Sequence, residues 1–274
     1  MSQQVVLITG ASSGMGYATA QYLLTKGFKV YASSRDSSKL FDIKDKNFTP
    51  LCIDLTSQKS IDNAIAHIIQ KENKIDILVN NAGYGLVSSV EDFTEEELQE
   101  QFNINLFGLL RVTKATIPYM RKAKSGVIIN ISSFLGKIGL PLLTLYNATK
   151  YAVEGVTDSL RYELREYNIR VHSILPGFFD TQFARDNLRT NESTFHKDSP
   201  YKELVSNLAP QIVHQINNGN SAEEVAKLIY TIIEDTNFPA RVTVGDKAKK
   251  FLAMRKELSD EDFERRVREY YGLT

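Results

Sequence analysis

The chain has no tryptophan, a single cysteine (Cys52) and four histidines among 274 residues, and each scarcity removes a class of protein. One thiol cannot close an internal disulfide, so a stapled secreted scaffold is excluded and the fold must be held by burial. The histidines, at 67, 172, 196 and 214, are too far apart in sequence to suggest a metal cluster, and no metal is expected. Charge of one sign is also missing, since 33 Lys and Arg balance 33 Asp and Glu. Without a basic run there is no electrostatic footprint for a phosphate backbone, and no nucleic-acid partner is expected. No stretch of about 18 apolar residues occurs, and the opening MSQQVVLITG lacks a basic segment followed by a long apolar one. No membrane partner and a cytoplasmic location are the resulting expectations.

What is present is an ordinary globular composition, 42% hydrophobic and 24% charged, enough to bury a sizeable core. Short β-branched runs alternate with longer helix-period segments, the pattern of βαβ units. Seven strands are expected at Val5–Thr9, Lys29–Ser33, Thr49–Ile53, Ile75–Asn80, Gly126–Ile131, Ile169–Leu175 and Arg241–Val244. Right-handed crossovers then place helices on both faces of a parallel sheet, a Rossmann-type doubly wound α/β sandwich of strand order 3-2-1-4-5-6-7. Residues 1–274 read as one domain. Residues 182–220, rich in Asn, Ser, Thr and charge, read as a mobile substrate loop. The tail, about 246–271, reads as helical, with Ser259 as N-cap and Glu261 and Asp262 in the first turn.

Thr9-Gly10-Ala11-Ser12-Ser13-Gly14-Met15-Gly16 follows the first strand and opens the first helix. Glycines here let the backbone turn tightly and approach a pyrophosphate, with the helix N-terminus supplying donors. A purely conformational use of glycine is the competing reading. The spacing, GxxxGxG after Thr, resembles the cofactor turn TGxxxGxG of the short-chain dehydrogenase/reductase family. The second strand ends Ser33-Ser34-Arg35-Asp36, with Ser34 where an NAD enzyme carries its carboxylate and Arg35 able to hold a 2′-phosphate. NADP(H) is therefore the expected cofactor, against the alternative that Arg35 simply pairs with Asp36.

Tyr146 and Lys150 form a YxxxK pair on one helix face. Tyr22 with Lys26 is a second such pair, but only Tyr146 has a serine, Ser133, thirteen residues before it at a strand's carboxyl end, where this architecture places its chemistry. A carbonyl receiving hydride develops negative charge on oxygen, so two hydroxyl donors stabilise it and one delivers a proton. A nearby Lys150 ammonium, together with the positive oxidised nicotinamide, is expected to favour the phenolate. The resemblance to the family further implies a catalytic role for Asn105 in FNINLFG, where an asparagine holds a proton-relaying water, with Asn103 not its substitute. It implies that Asp54, beside Leu55, meets the adenine, that Asn81, Ala82 and Gly83 line the ribose side while Asn80 braces strands, and that in Pro176-Gly177-Phe178-Phe179-Asp180-Thr181 the threonine meets the nicotinamide carboxamide. Gly10, Ser12, Ser13, Gly14, Met15, Gly16, Arg35, Pro176, Gly177 and Phe179 complete the expected cofactor contacts, together with Tyr146 and Lys150.

Apolar residues from Phe134 to Leu143, with Phe178, Phe179 and Phe183, suggest a bulky hydrophobic substrate. Its contacts are expected at Ser133, Leu135, Tyr146 and Phe183, though the same residues could fill core or a subunit interface. VYASSRD is similar to second strands of hydroxysteroid- and retinol-type members, which widens the expectation to steroid-, retinoid- or lipid-like carbonyls. The resemblance also implies a homo-oligomer joined through helices around 98–122 and 148–165. An NAD-dependent alcohol dehydrogenase of the same fold and a non-enzymatic NADP(H)-sensing regulator stay open as alternatives.

Overall fold

The computed structural model describes residues 3–40, 42–181 and 187–273. Seven short runs become strands, most of them rich in Val and Ile, whose β-branched side chains suit a pleated, buried surface. They are β1 (Val5–Ile8), β2 (Lys29–Ser34), β3 (Phe48–Cys52), β4 (Ile77–Asn80), β5 (Gly126–Ile131), β6 (Ile169–Pro176) and β7 (Arg241–Val244). Every neighbouring pair is parallel and the order is 3-2-1-4-5-6-7. The expected Rossmann-type sandwich is what the chain builds. Pro50, which has no N–H to donate, sits in β3 at the sheet edge, where a missing donor is tolerated.

Nine described helices cover the sheet and its ends: α1 (Gly14–Thr25), α2 (Gln58–Glu72), α3 (Glu95–Phe102), α4 (Leu109–Ala123), α5 (Thr144–Leu164), α6 (Lys202–Asn217), α7 (Ala222–Glu234), α8 (Asp246–Glu257) and α9 (Asp260–Tyr271). Side chains alternate across each strand, and the burial follows that period. Val6, Ile8, Val30, Val79 and Ile129 pack with α1 and α7 through Leu23 and Ile229. Val5, Leu7, Tyr31, Leu78 and Ile128 face the other way, onto Ile65 of α2, Val112 of α4 and Leu160 of α5. Each such aliphatic side chain contributes roughly 1.5–3 kcal/mol by leaving water. None of the described helices is long and apolar enough to cross a membrane.

Helix starts carry ordinary caps at α2 (Ser57), α7 (Ser221) and α9 (Ser259), and a capping box at α3 (Thr94 with Glu97). α1, like α4 and α5, has neither a side-chain cap nor an acidic residue in its first turn, Ser13 capping nothing. Its leading amides are thus left for something else to satisfy.

The stretch 182–220, read from composition as a mobile loop, instead carries a strand and a helix over its described part. Leu188–Thr190 pairs in parallel with Gly85–Val87. The turn that follows is anchored by Thr194, whose hydroxyl donates to Asp92 Oδ2 (2.7 Å) and accepts from the Ser89 amide (3.0 Å). α6 then lays Leu208, Ile212 and Ile216, one turn apart, into a third apolar cluster with Phe134, Phe178, Phe251 and Tyr271. Further on, the tail is two helices broken at Leu258, with the Ser259 hydroxyl accepting from the Asp262 amide (3.1 Å).

Candidate active site

At the carboxyl ends of β1, β2 and β4 a cleft of about 390 Å³ opens, lined by Gly10, Ser12, Ser13, Gly14, Met15, Ser34, Arg35, Asp54, Leu55, Asn81, Ala82 and Gly83. The glycine turn is built against the β4 end. Gly10 takes φ +64°, and a Cβ there would stand 2.6 Å from Ala82 Cα. Asn81 holds the turn from behind: its Nδ2 donates to the carbonyls of Thr9 (3.0 Å) and Gly10 (2.8 Å). The Thr9 hydroxyl in turn accepts from the amides of Asn81 and Ala82. Asn81 therefore acts first as a brace for the turn. Gly16 lies behind the turn, not on the cleft wall, because a Cβ there would meet Asn81 Nδ2 at 2.4 Å. Asn80 ties the strands, donating to Thr113 Oγ1 (2.9 Å) and Asn130 Oδ1 (3.0 Å).

Arg35 is exposed in the cleft, and among the described residues it makes no ion pair. Asp36 does not claim it, because that carboxylate accepts from the Ser38 amide (3.1 Å) and hydroxyl (2.6 Å). Asp54 is held below the usual carboxylate range by hydrogen bonds from the Thr56 hydroxyl and amide, with smaller help from Arg35 and Arg111. The floor of the cleft thus offers a fixed carboxylate and an unspent guanidinium.

The reactive groups converge at the inner end. Ser133 follows β5 and caps a short turn, its Oγ accepting from the Leu135 amide (3.1 Å), and it hydrogen-bonds the Tyr146 phenol. Lys150, one turn beyond Tyr146 on α5, is 5% exposed. Its Nζ donates to the Ile131 carbonyl (2.9 Å) and lies 5.6 Å from the Tyr146 ring centroid. Burial pushes the lysine down to about 8, opposed by the Glu154 carboxylate. Burial pushes the Tyr146 phenol up to about 12, opposed only in part by Ser133. Burial thus favours the neutral phenol in this structure, whereas the expected pull of the Lys150 ammonium and the oxidised nicotinamide toward the phenolate concerns the cofactor-bound site.

Asn105 reaches this group through a backbone irregularity. Residues Asn103–Gly108 form a π-turn between α3 and α4, which swings Asn105 inward to 1% exposure. Its amide donates to the Tyr84 carbonyl (2.8 Å) and Thr149 Oγ1 (3.2 Å) and accepts from the Tyr84 amide (3.0 Å). A Cβ on Gly83 would lie 3.3 Å from Asn105 Oδ1 and 3.7 Å from Lys150 Nζ, so glycine keeps the space between them open. Asn103 is spent elsewhere, on Arg111.

With this geometry in place, comparison with known proteins is decisive. The profile of the family described as short chain dehydrogenase matches residues 4–192. The chain belongs to the short-chain dehydrogenase family. It is 36% identical over 274 residues to a 3-ketodihydrosphingosine reductase of Bacteroides thetaiotaomicron, covering 100% of both chains. It is 34% identical over 261 residues to a 3-amino-tetrahydro-pyrrolizinone reductase of Xenorhabdus hominickii, covering 92% of this chain and 90% of that one. Among solved structures it is similar to a short-chain dehydrogenase from Streptomyces avermitilis, with TM-score 0.84, 29% identity and coverage of 100% and 97%. A structure of ElxO with NADP bound gives TM-score 0.72 at 26% identity, covering 88% and 96%.

This short-chain dehydrogenase has a second cavity, of about 80 Å³, that meets the first at Met15, Tyr146 and Thr181. Ser133, Leu135, Pro176, Gly177, Phe178 and Phe179 line it, so three expected cofactor contacts, Pro176, Gly177 and Phe179, stand on the apolar side. Thr181 bridges the two, a Cβ on Gly14 falling 3.2 Å from its Cβ. Phe183, expected in the substrate wall, lies outside the described residues. Sequence reasoning missed the outer rim, where the Arg189 guanidinium stacks 4.6 Å above the Tyr84 ring and pairs with Glu100 (2.6 Å). It also missed Leu188, Ile212 and Ile216 of the apolar wall, whose only sequence signal is the four-residue repeat in α6.

Proposed function

We propose that the protein is an NADP(H)-dependent reductase and dehydrogenase that interconverts a carbonyl and an alcohol on an apolar substrate. The observation that carries this reading is the position of Tyr146, on the shared wall of a polar cleft and an apolar cavity, with Ser133 hydrogen-bonded to it. A dinucleotide fits the cleft on three grounds: the amides at the start of α1 lack side-chain caps, Gly10 keeps its φ > 0 turn free of a Cβ, and Arg35 is unspent. Gly10, Ser12, Ser13, Gly14 and Met15 would hold the pyrophosphate, Arg35 the 2′-phosphate, and Asp54 with Leu55 the adenine. When bound, the dinucleotide supplies the hydride.

The chain's own groups do the rest. Ser133 Oγ and Tyr146 Oη donate to the carbonyl oxygen as its charge grows. Tyr146, held protonated by burial, delivers its proton to that oxygen, and Lys150 steadies the resulting phenolate. Lys150 Nζ and Asn105 Oδ1 both lie beside Gly83, and a proton relay back to the lysine would run along this side. The name of one relative, a 3-ketodihydrosphingosine reductase, supports the carbonyl reading.

Phe107 and Leu110 near α4, and Tyr151 and Tyr162 on α5, are 43%, 37%, 47% and 81% exposed, and they supply an apolar face for a homo-oligomer. For the activity itself the test is Tyr146→Phe. NADPH oxidation with a ketone panel is expected to fall by at least about 10²–10⁴-fold, while NADPH affinity is retained. A fully active variant refutes the role of this phenol.

A further inference from the structure

The cavity beside Ser133 and Tyr146 does not end the apolar path. A further cavity of about 80 Å³ lies beyond it, lined among the described residues by apolar side chains and Thr190, with no charged side chain among them. Leu188 and Ile212 line both cavities, so they form the partition between them. Four elements agree on the direction in which the path leaves the reactive pair. Along α6, Ile216 touches only the inner cavity, Ile212 both, and Leu208 with Ala209 only the outer one. Gly85 lines the inner cavity and Val87 the outer, on a strand paired in register with Leu188 and Thr190, which run the same way. Leu143 and Leu142 divide likewise. The eight-step rise from Ile216 to Leu208 sets the length of the path at about 12 Å.

We propose that the two cavities are one channel for a single unbranched hydrocarbon tail, the carbonyl resting at Ser133 and Tyr146 and the tail ending beside Leu208 and Ala209. This rests on the reading that the enzyme reduces an apolar carbonyl compound, and it narrows that substrate to a linear chain. The narrowness decides the shape. Each cavity is far smaller than a fused-ring body requires, whereas a flexible chain passes a partition made of two aliphatic side chains. Water gains nothing in the outer cavity, because a lone threonine cannot replace the two to four partners that a buried water needs.

The test is a series of linear methyl ketones of increasing length, with a compact cyclic ketone as reference. In the wild type kcat/KM rises about fourfold per methylene, the equivalent of about 0.8 kcal/mol for each CH2 buried, until the tail reaches Ala209. Ala209→Phe fills the outer cavity, so its gain stops at shorter tails while the shortest ketones react as in the wild type. Ala209→Val, a milder filling, gives an intermediate limit and guards against misfolding of the larger variant. A wild-type series flat with tail length, or one that Ala209→Phe leaves unchanged, overturns the channel. Calorimetric binding of linear alkanols to the NADPH-loaded enzyme separates this from the reductase reading. Affinity that climbs with length and plateaus early in Ala209→Phe keeps the channel even if no ketone turns over; affinity without length dependence removes it.

Discussion

Arg35→Ala takes away a guanidinium that the fold has left uncommitted, and its cost can be worked from its surroundings. Asp36 is occupied by the Ser38 amide and hydroxyl, and no described residue forms an ion pair with Arg35, so within the protein only its weak pull on Asp54 is lost with it. What is lost is the partner of a 2′-phosphate. A hydrogen bond to a charged group is worth roughly 1.5–3 kcal/mol, but Arg35 is exposed and screened by solvent, which selects the low end, about tenfold in affinity. The assay is fluorescence titration of NADPH and NADH against wild type and variant at low and high salt. NADPH affinity is expected to weaken about tenfold and NADH to stay within about twofold. The wild-type preference shrinks as salt rises, since the Debye length falls to about 3 Å at 1 M. Ser34→Asp puts a carboxylate where a ribose 2′-hydroxyl would want it and is expected to reverse the preference. Equal losses for both cofactors in Arg35→Ala refute the assignment of NADP(H) to this residue.

Lys150, lowered by burial from 10.5 to about 8, carries its charge below that value and loses it above. Ketone reduction is therefore expected to decline as pH rises through about 8, and Lys150→Arg, whose cation does not titrate there, flattens the limb. A wild-type rate level from about pH 7 to about 10 contradicts this. Gly10→Ala meets both a positive φ and the backbone of Ala82, whereas Gly27→Ala meets a positive φ of 82° with nothing within 4 Å. Urea midpoints should show the Gly10 change costing about 1–3 kcal/mol more than its control, and equal costs would dismiss the contact. Light scattering should report a multiple of the 30.9 kDa chain mass, lowered by Tyr162→Lys, while a monomer in the wild type removes the proposed face.

The strands and the glycine turn could be read in the sequence because each has a local cause. Runs such as VVLI and GVIINI are buried on both faces of a parallel sheet, so they stay apolar without alternation. Gly10 and Gly14 need positive φ, which few other residues accept. Asn105 was legible only through the family pattern, since its inward aim depends on the π-turn at Asn103–Gly108 and on Tyr84, whose backbone clamps its amide. Nothing within FNINLFG encodes that clamp. The upward pull of burial on the Tyr146 phenol is likewise absent from YxxxK, because the spacing records a neighbour's charge and not the water excluded from both groups.

The substrate wall was the least legible part, and its strand explains why. Leu188–Thr190 is three residues long and pairs with Gly85–Val87, about a hundred positions earlier, so no window of sequence contains its stabilising contacts. α6 hides its stripe differently, Leu208, Ile212 and Ile216 being interrupted by Pro210 and surrounded by Asn, Gln and His. Both elements become recognisable only when packed on Phe134 and Phe178, and these two aromatics are held by the same β5 and β6 ends that carry Ser133 and Pro176. The reactive pair and the apolar wall thus share one scaffold. A substitution such as Phe178→Ala, which opens the wall without touching a reactive group, should accordingly act on KM for apolar ketones before it acts on the chemical step.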